Sequence, residues 1–125
     1  MGKDKLTLVA EEGTSLSSGS LRLYALPYGC IDLYSYDPLN RRAAVGIMVA
    51  NEYRRQGCAT AMLAELASIA KSNYNLHTLY ADIAAPNTAS QALFLKAGYT
   101  ECGRFKEWLE YDSHFIDNIR MQKIL

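Results

Sequence analysis

The period of the apolar positions changes several times along the chain, and each change marks an element. Leu6, Leu8 and Ala10 alternate with polar residues, which predicts a short strand. Residues 12–20 are rich in Gly, Ser and Thr and read as a loop. Residues 21–26 could form a strand but are broken by Pro27 and are not counted as one. Over 30–36 the alternation is clearer, with Ile31 and Leu33 on one face and Asp32, Tyr34 and Tyr36 on the other. Asp37-Pro38-Leu39-Asn40 carries turn chemistry, so the strand that follows, 43–50, is expected to return antiparallel.

After Gly57 the period becomes helical. Ala59, Met62, Leu63, Leu66, Ile69 and Ala70 fall on one stripe, and residues 73–75 (Asn-Tyr-Asn) are expected to end the helix. Residues 76–83 read as a buried strand, and a strand-helix-strand step of this length pairs parallel or splays apart. Asn87, after Pro86, is a natural N-cap for a second helix that runs to Ala97 and stops at Gly98. Residues 99–110 and 115–124 form a hairpin around Tyr111-Asp112-Ser113. The expected order is β-β-β-α-β-α-β-β, an α/β fold with a mixed, mostly antiparallel central sheet and two helices. No repeat and no linker divides the 125 residues, so a single domain over 1–125 is predicted.

Composition narrows the class. Half of the residues are apolar and the formal net charge is zero, which argues against a general nucleic-acid binder. Basic pairs stand at Arg41-Arg42 and Arg54-Arg55, where each pair can serve one anion. Cys30, Cys58 and Cys102 make neither an even disulfide set nor a CxxC pair, and read as reduced, mostly buried thiols. His77 and His114 are isolated, and no metal is expected. No apolar run approaches a membrane span, and Met1-Gly2-Lys3-Asp4-Lys5-Leu6 lacks the Ser or Thr of a myristoylation signal and any signal-peptide core. A cytoplasmic protein with no membrane partner is the expectation.

Candidate chemistry begins at Arg54-Arg55-Gln56-Gly57-Cys58-Ala59-Thr60, placed between a strand and a helix. The first turn of a helix leaves N–H groups without partners, and its dipole adds positive charge there. Gly57 lets the backbone approach an anion, Ala59 is small enough to keep that approach open, and Thr60 adds a hydroxyl. Arg54 or Arg55 can face a second phosphate. Neither a P-loop nor a Gly-x-Gly-x-x-Gly pattern is present. On spacing alone, an ordinary basic helix start explains the segment equally well.

The run from Gly46-Ile47-Met48-Val49 through Arg54 to Thr60 resembles the acetyl-CoA signature of the GNAT N-acetyltransferase superfamily. Asn87-Thr88-Ala89-Ser90-Gln91-Ala92-Leu93-Phe94-Leu95-Lys96-Ala97-Gly98-Tyr99 resembles the superfamily's second marker, in the expected order. From Cys30 to the end the chain is most similar to the spermidine and ribosomal-protein N-acetyltransferase branch. The usual first strand and helix pair have no expected counterpart in residues 1–29.

The resemblance implies acetyl-CoA as cosubstrate and a set of roles for particular residues. Residues 45–61 would cradle the cofactor: the backbone of Ile47, Met48 and Val49 would pair with the pantetheine arm, beside a bulge that opens the strand. Arg54, Arg55, Gln56, Gly57, Cys58, Ala59 and Thr60 would hold the pyrophosphate. Asn87 and Ser90 would contact the arm, and Lys96 would lie toward the adenosine phosphate. Helix capping for Asn87, packing for Cys58 and a solvated surface position for Lys96 are the plainer alternatives.

Two departures bear on activity. The superfamily commonly uses a tyrosine of the second helix to protonate the leaving sulfur, and Phe94 stands there. Polyamine-acetylating relatives carry carboxylates where this chain has Ser35 and Ala44. Tyr34, Tyr80, Tyr99 and Asp82 are alternative proton carriers, each also explained as a strand residue. Two functions follow: an N-acetyltransferase acting on a primary amine of a polyamine-like molecule or a protein N-terminus by direct attack, or a non-catalytic acyl-CoA-binding module. A homodimer or higher homo-oligomer is the expected assembly.

Overall fold

The structure, a computed structural model, describes residues 6–125. Residues 1–5, most of the stretch read above for a lipidation signal, lie outside the described residues. Seven strands and two helices follow one another as β1 (Val9–Ala10), β2 (Ser20–Ala25), β3 (Gly29–Asp37), β4 (Arg42–Val49), α1 (Cys58–Tyr74), β5 (Thr78–Ala84), α2 (Thr88–Lys96), β6 (Thr100–Tyr111) and β7 (His114–Ile124). Four strands thus precede α1, one more than the expected order counts. The extra one is β2, because the stretch before Pro27 forms a full strand; the short strand expected over 6–10 is β1, its edge partner, with Val9 opposite Tyr24. A single turn of 3-10 helix, Leu16–Ser18, joins them and sets Leu16 into the core.

The strands form one sheet in the order β1-β2-β3-β4-β5-β7-β6. Every neighbouring pair is antiparallel except β4 and β5. Strand alternation sends Leu21, Leu23, Ile31, Leu33, Val45, Leu79, Ile83, Ile119 and Met121 to one face. Helix α1 lays Met62, Leu63, Leu66 and Ala70 over that face, against β3 and β4. Burying each such aliphatic side chain is worth about 1.5–3 kcal/mol, which is the main reason the helix docks. Asn75 ends α1 in the left-handed region (φ 53°), as the sequence predicts, and the backbone N–H of Leu76 donates to Ala70 O at 3.0 Å. The opposite face carries Arg22, Asp32, Tyr34, Tyr80, Asp82 and Arg120, and among the described residues no helix covers it.

Two expectations about β3 and β4 need correction. Asp32, Tyr34 and Tyr36 do not share a face. An extra residue stands in β3, where Tyr34 pairs with Ala44 and Asp37 with Arg42, and Ser35 sits at φ 51°. The bulge turns Tyr36 round to pack against the core. The bulge therefore belongs to β3, whereas β4 pairs with β3 without interruption from Ala44 to Val49. Close approach of those strands also explains Gly29, because a Cβ there would overlap the carbonyl oxygen of Met48.

What opens beside β4 is its other edge. Parallel pairing with β5 covers only Arg42–Thr78, Ala43–Leu79 and Ala44–Tyr80. Beyond that point the two strands diverge. β5 stays in the sheet by pairing with β7 over its full length. The result is a fork, with the β4 backbone from 45 to 49 free of a partner on the β5 side.

Candidate functional site

The fork encloses a cleft of about 240 Å³ that passes through the sheet. β4 contributes Val45, Gly46 and Ile47, and β5 contributes residues 81–84. Helix α2 supplies Asn87, Ser90 and Phe94 from one face, and Tyr34 of β3 reaches in from the other. The two sequence segments singled out as cofactor markers therefore meet across one opening.

The β4 arm leads directly into the loop 50–57. Tyr53 packs edge-on against Tyr28, with ring centroids 5.0 Å apart, and Ala50 N donates to Tyr28 O at 2.8 Å. These contacts pin the loop to the β2–β3 turn. Arg54 Nε donates to Val49 O at 3.3 Å, and Gln56 Nε2 donates to Glu52 O at 3.0 Å. Arg55 and Gly57 take positive φ, 63° and 80°. Gly57 is the N-cap of α1, and no side chain caps that helix. The N–H groups of its first turn, Cys58, Ala59 and Thr60, therefore face outward without a side-chain acceptor. Cys58 is fully buried and packs inward, which is the plainer of its two readings. Arg54, Arg55, Gln56 and Gly57 are exposed before the start of α1 and do not line the cleft itself.

At α2, Asn87 Oδ1 accepts from Ser90 N at 3.1 Å, so Asn87 caps its helix and also borders the cleft. Gln91 Nε2 donates to Ala85 O at 2.8 Å and holds the β5–α2 turn against the helix. Lys96 is exposed in the last turn and does not border the cleft. Phe94 is buried, its ring edge-on to Tyr99 at 4.9 Å and 88°. Tyr99 lies wholly inside, its hydroxyl without a partner, and burial pushes its phenol far above the ordinary range. It is a core residue and does not line the cleft.

Asp82 is not a free strand-end carboxylate. Arg120 grips it with Nε and Nη2 at 2.8 and 2.9 Å, and Asn118 Nδ2 donates to it at 3.1 Å. The hydrogen bonds from Arg120 lead in holding its pKa below the usual carboxylate value, with burial opposing them. Arg120 also stacks on Tyr80, 4.5 Å from the ring centre, and on Phe105 at 5.3 Å. Asp82 is thereby committed to the ionised, paired state and is a poor proton acceptor. Sequence reading missed this cluster: Asp82 is the one charged residue of β5, but Asn118 and Arg120 lie in a β7 that also carries His114, Asp117, Gln122 and Lys123 and so do not stand out. The basic pair Arg41-Arg42 also has other work. Arg41 binds the carbonyl and side chain of Asn75 at the end of α1, and Arg42 pairs with Asp37 at 3.2 Å. Among the described residues no cluster of His, Cys, Asp and Glu could hold a metal ion. No described helix is long and apolar enough to cross a membrane.

A fork between two parallel strands, leading to an uncapped helix start, is a setting for a long anionic thioester. The family model for the acetyltransferase (GNAT) domain matches residues 11–100, and the chain belongs to that family, which uses acetyl-CoA. A Bacillus subtilis (strain 168) protein, YdaF, named as a ribosomal N-acetyltransferase, is 30% identical over 81 residues, 65% of this chain. The chain spans 44% of that relative's length. A Vibrio cholerae spermidine N-acetyltransferase in complex with CoA and spermine superposes with a TM-score of 0.80 at 21% identity, covering 86% of this chain and 67% of that one. A dodecameric structure of the same enzyme gives 0.78 at 22% identity, over 85% and 65% of the two chains. A chimera of that enzyme with hSSAT gives 0.85 at 17% identity, over 97% and 96%. These likenesses establish the acyl-CoA N-acyltransferase fold expected above.

Proposed function

We propose that this chain binds acetyl-CoA in the fork and transfers its acetyl group to a primary amine by direct attack in a ternary complex. One observation carries the reading: the β4/β5 pairing stops at Ala44–Tyr80, and the free β4 edge leads through the loop 50–57 to the uncapped start of α1. A pantetheine arm carries amides that can pair with the backbone of Ile47, Met48 and Val49 as a strand would. The N–H groups of Cys58, Ala59 and Thr60, together with Gly57 and Gln56, receive the pyrophosphate, and Arg54 and Arg55 face its charge. Asn87 and Ser90 meet the arm from the α2 side, and Lys96 lies beyond them toward the adenosine phosphate. The domain needs no metal for this chemistry, because a thioester is already activated toward an amine.

The acceptor is a polyamine-like molecule or a protein N-terminus, and the uncovered sheet face favours the second. A polar pocket of about 380 Å³ there is lined by Asn40, Arg42, Thr78, Tyr80, Arg120 and Gln122, with no carboxylate among them. Asp37 and Asp82 are already paired with Arg42 and Arg120 of that lining. A polycation would meet guanidinium groups, whereas a peptide can use its carbonyls.

A second reading, a cofactor-binding module without activity, rests on Phe94, which cannot donate a proton. The test is to incubate the protein with acetyl-CoA and either spermine or a short peptide with a free N-terminus, following free thiol. Release above the amine-free rate is expected. Tight acetyl-CoA binding with no release would establish the module instead. Self-association fits the unpaired outer edge of β6 and the exposed Trp108, Tyr111 and Phe115 of its hairpin. Sedimentation is expected to show a dimer or larger species.

A further inference from the structure

We propose that Tyr34 serves as the proton shuttle of the transfer, acting from the uncovered sheet face in place of the hydroxyl that Phe94 lacks. The inference rests on the acetyl-transfer reading above. Tyr34 is the one tyrosine bordering the cleft among the described residues. Its ring lies over Gly46, where a Cβ would come within 3.5 Å of Cε1. The missing side chain lets the ring extend across β4 toward the fork. The cleft that Tyr34 borders is lined on its far side by Ala81, Asp82, Ile83 and Ala84 of β5, so the ring faces the fork from β3.

Its surroundings also set its state. Burial leads in pushing the phenol above its ordinary value of 10.0, and Asp82, Tyr80 and Asp32 add to the push while Arg120 opposes it. At neutral pH the hydroxyl therefore keeps its proton and can give it away. The other polar groups of the cleft are less suited. Asp82 is paired and ionised, the Asn87 carbonyl oxygen caps α2, and the Ser90 hydroxyl, an aliphatic alcohol, is a far weaker acid than a phenol.

The step balances without a further reagent. The neutral amine nitrogen attacks the thioester carbonyl carbon, a C–N bond forms and the C–S bond breaks. The departing sulfur takes the Tyr34 proton, and the phenolate recovers a proton from the nitrogen that attacked. One proton passes in sum from amine to thiol.

The experiment compares wild type and Tyr34→Phe with acetyl-CoA and the faster of the two amines above. Positioned acid–base groups contribute about 10²–10⁴ in rate, so kcat should fall about 100-fold. The KM for acetyl-CoA should change by less than about twofold, since the thioester is bound mainly by β4 and α1. The alkaline descent of the wild-type kcat profile, set by the phenol above pH 10.0, should disappear in the variant. An unchanged kcat and pH profile in a working enzyme would overturn the role of Tyr34 alone. A wild type that releases no thiol would overturn the transfer reading and this role together.

Discussion

At Phe94 the second helix borders the cleft, and that ring packs at right angles to Tyr99. Phe94→Tyr adds a hydroxyl at a residue that borders the cleft, and we expect turnover to rise at least about tenfold with acetyl-CoA affinity retained. Free-thiol release measured beside equilibrium binding checks this, and no gain would mean that the new hydroxyl does not reach the sulfur. Tyr99 presents the opposite problem, a buried hydroxyl with no partner. Leaving a buried polar group unpaired costs about 1–3 kcal/mol, so Tyr99→Phe should raise stability by about 1 kcal/mol. Thermal unfolding should show a midpoint higher by about 4 °C. Gly57 combines a conformational and a steric demand. A Cβ there meets no protein atom within 4 Å, so the cost of Gly57→Val to the fold is confined to the positive φ and is about 1–3 kcal/mol. The loss of acetyl-CoA binding should be far larger, because the new side chain stands where the pyrophosphate approaches. Calorimetric titration decides it.

The elements divide sharply in how much of them the sequence alone reveals. Both helices, their caps at Asn87 and Asn75 and the β6–β7 hairpin follow from local pattern and turn chemistry. The uncapped start of α1 is legible for the same reason, since Gly57 and its neighbours act within a few residues. The bulge at Ser35 is not. A serine at φ 51° has no strong sequence mark, and one inserted residue moves Tyr36 from one face to the other. The fork is also invisible locally, because it depends on where β5 leaves β4 for β7. The Asp82–Arg120–Asn118 cluster joins residues 36 and 38 positions apart and emerges only once β5 and β7 are in register. That cluster makes a prediction of its own. A carboxylate with a lowered folded pKa adds stability above its unfolded value of 3.8, and the gain is lost as pH falls through the folded value. Both side chains are more than a third exposed, so Asp82→Asn should cost only about 1 kcal/mol or less at pH 7. The gap to wild type in urea unfolding should close below pH 3.8. A gap that persists in acid would assign the effect to packing.

For the molecule as a whole, the fork has a thermodynamic consequence. The β4 and β5 arms are joined directly by only three residue pairs, and beyond Ala44 their contact runs through α1, α2 and the sheet around them. A ligand lying between the arms and reaching the α1 start ties β4, β5 and both helices together, so its binding free energy adds to global stability. At one hundred times its dissociation constant, acetyl-CoA should contribute about 2.7 kcal/mol. For a domain of this size that raises the unfolding midpoint by roughly 10 °C. The proposed geometry also requires the two ends of the ligand to act jointly. Pantetheine alone can pair only with the β4 edge, and ADP alone can reach only the loop at Gly57. Linkage makes the second contact intramolecular and multiplies the two affinities. An equimolar mixture of the fragments should therefore shift the midpoint by far less than intact CoA at the same concentration. Equal shifts from ADP and CoA would confine binding to the helix start and leave the fork unused. With Gly57→Val, the CoA shift itself should vanish while the unliganded protein still unfolds cooperatively.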